Sequence, residues 1–256
     1  MALVLLANTK GGSGKTTAAL VLAGELLSHR ARVVLLEGDP NRPLVTWAEA
    51  RGAPVIETSR AVARTAEEAT AAIEKATAGG EGERLVVIHD DNQEGVFEWI
   101  EGASAWAHFV IADPEGSPNE WLTDVVSQAD LVVIPFAPSA LDAKQVSRTV
   151  QVLNRVSKRT GRAVNYRILL TRANPVMTRD EREIRQSLER NGLPLLSTTL
   201  RERPAYRGLF KLDAVIQELS SDTVNGLDGA RRNAAEYARE ILDILKAVAA
   251  PATEAA

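Results

Sequence analysis

A chain of 256 residues, 45% hydrophobic and 25% charged, has the apolar material for one α/β domain of ordinary to large size with a soluble surface. It contains no cysteine, which excludes disulfides, iron–sulfur clusters and thiolate zinc sites. A formal net charge of −4 excludes a wholly basic nucleic-acid binder.

The first apolar run, "ALVLLA" (2–7), reads as a buried strand. It carries no basic leader and is too short for a signal peptide. No stretch approaches the ~20 apolar residues of a membrane span, so a cytoplasmic location is expected. The loop "NTKGGSGKTT" (8–17) follows, and a helix is expected over 15–29. Strand, glycine-rich loop and helix in that order are the context of a phosphate-binding loop. Gly11, Gly12 and Gly14, with Ser13 between them, let backbone N–H groups turn toward phosphate oxygens, and the helix N-terminus adds partial positive charge. Lys15 is expected to reach the β- and γ-phosphates of ATP, with Thr16 on Mg²⁺ and Thr17 beside it. Such a loop needs one lysine, and this one also has Lys10.

Further strands are expected at 32–37, 84–90, 108–113, 130–135 and 166–171, and helices at 61–78, 119–128, 142–159 and 178–191. Val146, Val150, Leu153 and Val156 recur at helical spacing. This alternation predicts a mostly parallel twisted sheet with helices on both faces. "AGGEGE" (78–83) reads as a loop. A last helix is expected at 229–249, with Ala234, Tyr237, Ile241, Leu245 and Val248 on one face, and a disordered tail at 251–256. With no internal repeat and no linker, residues 1–250 read as a single domain. His29, His89 and His108 lie far apart, without metal-ligand spacing. From Arg179 to Lys211, eight Arg and Lys stand against five Asp and Glu, a local excess of +3 on an acidic chain.

"KGGSGKTT" departs from the general P-loop pattern, since Thr9 stands where its first glycine would be. It resembles the deviant Walker A motif of the ParA/MinD family of P-loop ATPases. The resemblance implies that Lys10 crosses a dimer interface to the partner's nucleotide, so that two subunits close over two ATP molecules. "LLEGDPNRPLVTW" (35–47) resembles the family's D-x-D-P-Q segment, with Glu37 for the first aspartate and Asn41 for the glutamine. Asp39 falls on the second aspartate, implying that it orients the attacking water near Mg²⁺. "FVIADPEGSPNEW" (109–121) resembles the Walker B strand and makes Asp113 the water-mediated Mg²⁺ ligand. Asp90 and Asp91, ending "LVVIHDD", are its competitors. "LLTRANP" (169–175) resembles the adenine-pocket segment, which makes Arg172 and Asn174 candidate base contacts.

Among branches of the family, the short ParF-like plasmid partition ATPases are similar in "PLVTWAEA", "PSALD", "ILLTR" and "LRERPAYRGLF". ATPases that organise relaxosomes in T-DNA and conjugal transfer share these features and a late "NGLD". The winged helix of large plasmid ParA proteins is not expected. Membrane targeting of the MinD type is disfavoured, because the last helix carries only Lys246 after Arg239. The region 61–78 is additional to short ParA proteins. The resemblance further implies slow ATP hydrolysis stimulated by partners, nonspecific DNA binding, a ParB-type adaptor or relaxosome protein as partner, and association with the nucleoid. Arg201, Arg203, Arg207 and Lys211 are the candidate DNA contacts. A metabolic P-loop ligase of the dethiobiotin-synthetase kind is the alternative from another class, although such ligases lack a Lys10 equivalent. A nitrogenase-iron-protein-like reductase is excluded because it needs cluster cysteines.

Overall fold

A computed structural model describes residues 1–78, 84–91, 93 and 95–250, with backbone alone at 140–143. Residues 79–83 of the loop expected at 78–83, and the tail at 251–256, lie outside the described residues. In chain order the strands are β1 (Ala2–Leu6), β2 (Val33–Gly38), β3 (Val55–Glu57), β4 (Leu85–His89), β5 (Phe109–Pro114), β6 (Leu131–Phe136), β7 (Tyr166–Ala173) and β8 (Leu195–Arg201). The helices are α1 (Lys15–Ser28), α2 (Pro43–Ala50), α3 (Ala66–Thr77), α4 (Val96–Trp106), α5 (Glu120–Gln128), α6 (Ala140–Thr160), α7 (Arg179–Arg190), α8 (Pro204–Lys211) and α9 (Leu227–Ala249).

The strands form one sheet in the order β3-β4-β2-β5-β1-β6-β7-β8, and every pairing is parallel. Strand residues alternate between two apolar layers, as the two-residue period of a strand requires. Val4, Leu6, Val33, Leu35, Val87, Ile111 and Val133 face α1, α2, α8 and α9. Leu3, Leu5, Val34, Leu36, Val86, Val110 and Val132 face the layer of α3 to α7. Both faces are covered, which accounts for strands that read as unbroken apolar runs. The chain leaves β1 toward β2 on one side and crosses from β5 to β6 on the other. The order therefore reverses around β1, and an open α/β sheet binds its ligands in the crevice at such a point.

Five elements went unassigned in the sequence: α2, β3, α4, β8 and α8. In α4 the signal was present, since Val96, Trp99, Ile100, Ala103 and Trp106 recur at helical spacing and are all buried. The helix expected over 61–78 starts at Ala66, because the Thr65 side chain caps it by accepting from Glu68 N–H. This additional region covers α4 closely. A Cβ at Gly102 would stand 2.5 Å from the Ala69 Cβ and 2.6 Å from the Ala66 carbonyl oxygen, so the crossing requires glycine.

Trp47, on α2, joins distant parts of the first layer. It is 1% exposed, its indole Nε1 donates to the Leu209 carbonyl at 3.1 Å, and the Arg51 guanidinium lies 4.6 Å above its ring. Trp47→Ala is expected to lower unfolding free energy by about 3–5 kcal/mol, through the cavity and the orphaned carbonyl. The shift of the urea midpoint at unchanged m-value measures it.

Candidate functional site

The loop between β1 and α1 is held by side chains of β7 and by its own Asn8. Gly12 and Gly14 have φ of 72° and 89°, a left-handed backbone that glycine adopts without strain. Thr171, on β7, donates its hydroxyl to the Ser13 carbonyl at 2.7 Å, and the Arg172 guanidinium Nη1 donates to the Gly12 carbonyl at 3.0 Å. Asn8 fixes the loop's entry by donating Nδ2 to the Pro135 carbonyl and accepting from Lys10 N–H. The loop after β5 closes on it as well, since a Cβ at Gly116 would stand 2.8 Å from Gly11 N. The Gly12 and Ser13 carbonyls are thus taken up by β7 side chains, which fixes the loop along the crevice. Helix α1 follows Gly14, its N-cap residue, with no side-chain cap and no acidic residue in its first turn. Its first amides are left for a ligand.

These residues line a cleft of about 490 Å³. Gly11 to Thr17 form one wall, with Asp39, Pro43, Gly116, Thr171 and Arg172 around them. Lys15 is 7% exposed and lines the cleft, whereas Lys10 is half-buried and lies outside that lining.

Three carboxylates stand near this wall. Asp39 makes a tight turn, its Oδ1 accepting from both the backbone N–H and the side-chain amide of Asn41 at 2.9 Å. The residue that replaces the expected glutamine therefore bonds Asp39 directly. Glu37 and Asp113 are register partners on β2 and β5 and are almost completely buried. Glu37 satisfies the N-terminus of α2, accepting from Leu44 N–H at 2.7 Å and Val45 N–H at 2.9 Å. Burial nevertheless pushes its pKa up to about 7, with the charges of Asp113 and Asp39 adding to the rise. The longer side chain thus keeps a carboxylate at this position, directed into α2. Asp113 is raised to about 6, again by burial first, while Thr16 and Lys15 pull it down. Neither of its oxygens has a hydrogen-bond partner of good geometry among the described residues.

An unpartnered buried carboxylate facing the Thr16 hydroxyl and Lys15 fits a hydrated divalent cation. Asp90 does not offer this. It lies across β2 from Asp113's strand, and its oxygens already accept from Thr58 Oγ1 and Trp121 Nε1, both at 2.8 Å. Asp91 is held by Ser59 and Thr58.

Both raised carboxyls bind their protons more firmly in the folded chain than in the unfolded one. The folded chain therefore carries more protons above the unfolded pKa values, and its stability falls as pH rises. For Glu37 the window runs from its ordinary 4.5 to about 7. Glu37→Gln is expected to flatten that fall by up to about 3 kcal/mol. Urea midpoints of both chains at pH 5 and pH 7.5 measure the difference in slope.

The expected base and DNA contacts divide between the cleft and its surroundings. Arg172 lines the cleft, with its backbone at φ 50°. Asn174 does not line it, and its carbonyl accepts from Arg201 Nη1 at 2.5 Å. Arg201, Arg203 and Arg207, expected as DNA contacts, line the same cleft as the P-loop; Lys211, at the end of α8, lies outside it. Arg201 is also drawn to the buried Glu181 at 3.4 Å. The second wall of the cleft, Leu200, Tyr206 and Phe210 with these arginines, was not assigned to the site from sequence. The run "RERPAYRGLF" holds the mixture of apolar and cationic residues from which it could have been found.

Comparison with known proteins places the chain among relatives. The VirC1 protein family model matches residues 1–99. Protein ParA of Rhizobium radiobacter is 29% identical over 242 residues, covering 94% of this chain and 96% of that protein. An ATP complex of Cyanothece McdA superposes with a TM-score of 0.67 at 18% identity, covering 94% of this chain and 96% of the other. The MinD cell division protein of Aquifex aeolicus gives 0.67 at 18%, with 95% and 98% covered. The chain is thus similar in sequence to protein ParA over nearly its whole length, and similar in fold to the McdA and MinD structures.

Proposed function

We propose that the chain is an ATPase that dimerises on binding ATP, binds DNA without sequence preference and positions a DNA or other cargo through an adaptor protein. The observation that carries the reading is the buried Asp113 carboxylate, without a hydrogen-bond partner of good geometry among the described residues, facing Thr16 and Lys15 beneath an uncapped helix N-terminus. Thr16 would hold Mg²⁺ directly and Asp113 through water, with Asp39 at the rim; when bound, the ion would supply charge neutralisation on the phosphates. Lys15 binds the phosphates, and the loop amides orient them. Asp39, fixed by Asn41, orients the attacking water. The base extends along Arg172 toward Tyr206 and Phe210.

Lys10, half-buried outside the cleft lining, suits a role toward a second subunit's nucleotide. Arg207 and Lys211 on α8 are the solvent-facing cations for DNA phosphates, Arg207 being 71% exposed. The proposed location is the cytoplasm, on the nucleoid; among the described residues no helix is long and apolar enough to cross a membrane.

Asp39→Ala is expected to bind ATP as the parent does, to hydrolyse it at least about tenfold more slowly, and to accumulate as a dimer. Phosphate release and light scattering on the same samples test this. Turnover at the parent rate would return Asp39 to the status of a turn residue.

A further inference from the structure

One side chain outside the nucleotide cleft touches the segments that carry two of its carboxylates. Trp121 is the second residue of α5, which follows the Asp113–Asn119 loop directly and is capped by Asn119 accepting from Leu122 N–H. A Cβ placed at Gly38 would meet three atoms of the Trp121 ring at 2.8 to 2.9 Å. These near-equal distances mean that the face of the indole covers the backbone one residue before Asp39. The indole Nε1 donates to Asp90 Oδ2, and the other oxygen of Asp90 accepts from Thr58. Asp90 N–H in turn donates to the Glu37 carbonyl at 2.9 Å, on the strand that leads into the Asp39 turn. Trp121, Asp90 and Thr58 are each no more than 2% exposed. Their bonds are therefore made away from water, where an unmade partner costs most.

We propose that the Trp121–Asp90 pair is a positioning device that sets the offset between the Asp39 turn and Asp113, and thereby governs how Mg²⁺ engages the bound nucleotide. Neither residue lines the P-loop cleft, so neither is a catalytic residue. The indole ties α5 to β4 while its face presses on Gly38, so the turns after β2 and β5 cannot shift independently. Loss of the bond frees the ring to tilt and lets Asp39 move relative to Asp113. Displacements of about 1 Å in a site of this kind cost up to ~100-fold in rate. The proposal rests on the Mg²⁺–ATP reading above.

The test compares Trp121→Phe, Asp90→Ala and Asp90→Asn in the full chain. Phenylalanine keeps most of the ring but removes the donor. Asparagine keeps an acceptor oxygen for Trp121 and offers its amide to the Thr58 hydroxyl. The first readout is the gain in affinity for a fluorescent non-hydrolysable ATP analogue on adding Mg²⁺; the second is kcat against KM for ATP. Trp121→Phe and Asp90→Ala should lose about tenfold of the Mg²⁺-linked gain and of kcat. Their affinity without Mg²⁺ should stay within about twofold of the parent, and Asp90→Asn should recover most of the loss. If Trp121→Phe does not fold, the alanine and asparagine variants at Asp90 carry the same comparison. An unchanged Mg²⁺-linked gain, an equal loss with and without Mg²⁺, or an asparagine variant no better than alanine overturns the proposal. A parent chain that shows the gain but no turnover refutes the hydrolase reading alone and leaves the first readout to decide.

Discussion

Lys15→Ala is expected to lower ATP affinity by about a hundredfold or more while leaving the fold intact. The ammonium lies on the cleft wall at 7% exposure, where a charge-assisted contact to phosphate is worth about 1.5–3 kcal/mol and is weakly screened. A second effect acts in the same direction. Lys15 is one of the two groups that hold the Asp113 carboxyl down against its burial. Without it, the phosphates would approach a buried carboxyl that has lost its compensating cation. Equilibrium binding of a labelled ATP analogue measures the loss, and the melting temperature of the nucleotide-free chain checks folding. Undiminished binding would sink the P-loop assignment.

Lys10→Ala is expected to separate binding from assembly. Lys10 stands outside the cleft lining, so the monomer should keep its nucleotide affinity within about threefold. In a dimer closed over two ATP molecules, its charge would offset the phosphates facing the partner, and the variant should lose the ATP-dependent dimer. DNA retention should fall with it by about tenfold or more, since two joined cationic surfaces bind a polyanion far more tightly than one. Light scattering and filter retention with a slowly hydrolysed ATP analogue test both steps. Normal dimerisation and normal DNA retention would return Lys10 to a solvated residue at a strand end.

The alternating apolar runs and the loop 8–17 were sufficient to specify a parallel sheet covered on both faces, with a glycine-rich loop after its first strand. That follows because strand burial and glycine-rich turns are local: each depends on a few consecutive residues and their period. The glycine-rich loop itself was legible for the same reason. What the tertiary structure decided depends on residues far apart in the chain. The sequence could rank Asp113 over Asp90 by resemblance, whereas their partners differ only in space: Trp121 and Thr58 occupy Asp90, while among the described residues Asp113 has no hydrogen-bond partner of good geometry. The destination of Glu37, whose carboxylate closes the N-terminus of α2, likewise required the turn at Asp39 to be folded. Arg201, Arg203 and Arg207 form a cationic run in the sequence, but only the packing of α8 against α1 and α9 brings them to the P-loop cleft. Charge and period are carried by the sequence; which charges share a cleft is set by sheet order, here β5 and β6 flanking β1 with β7 beyond.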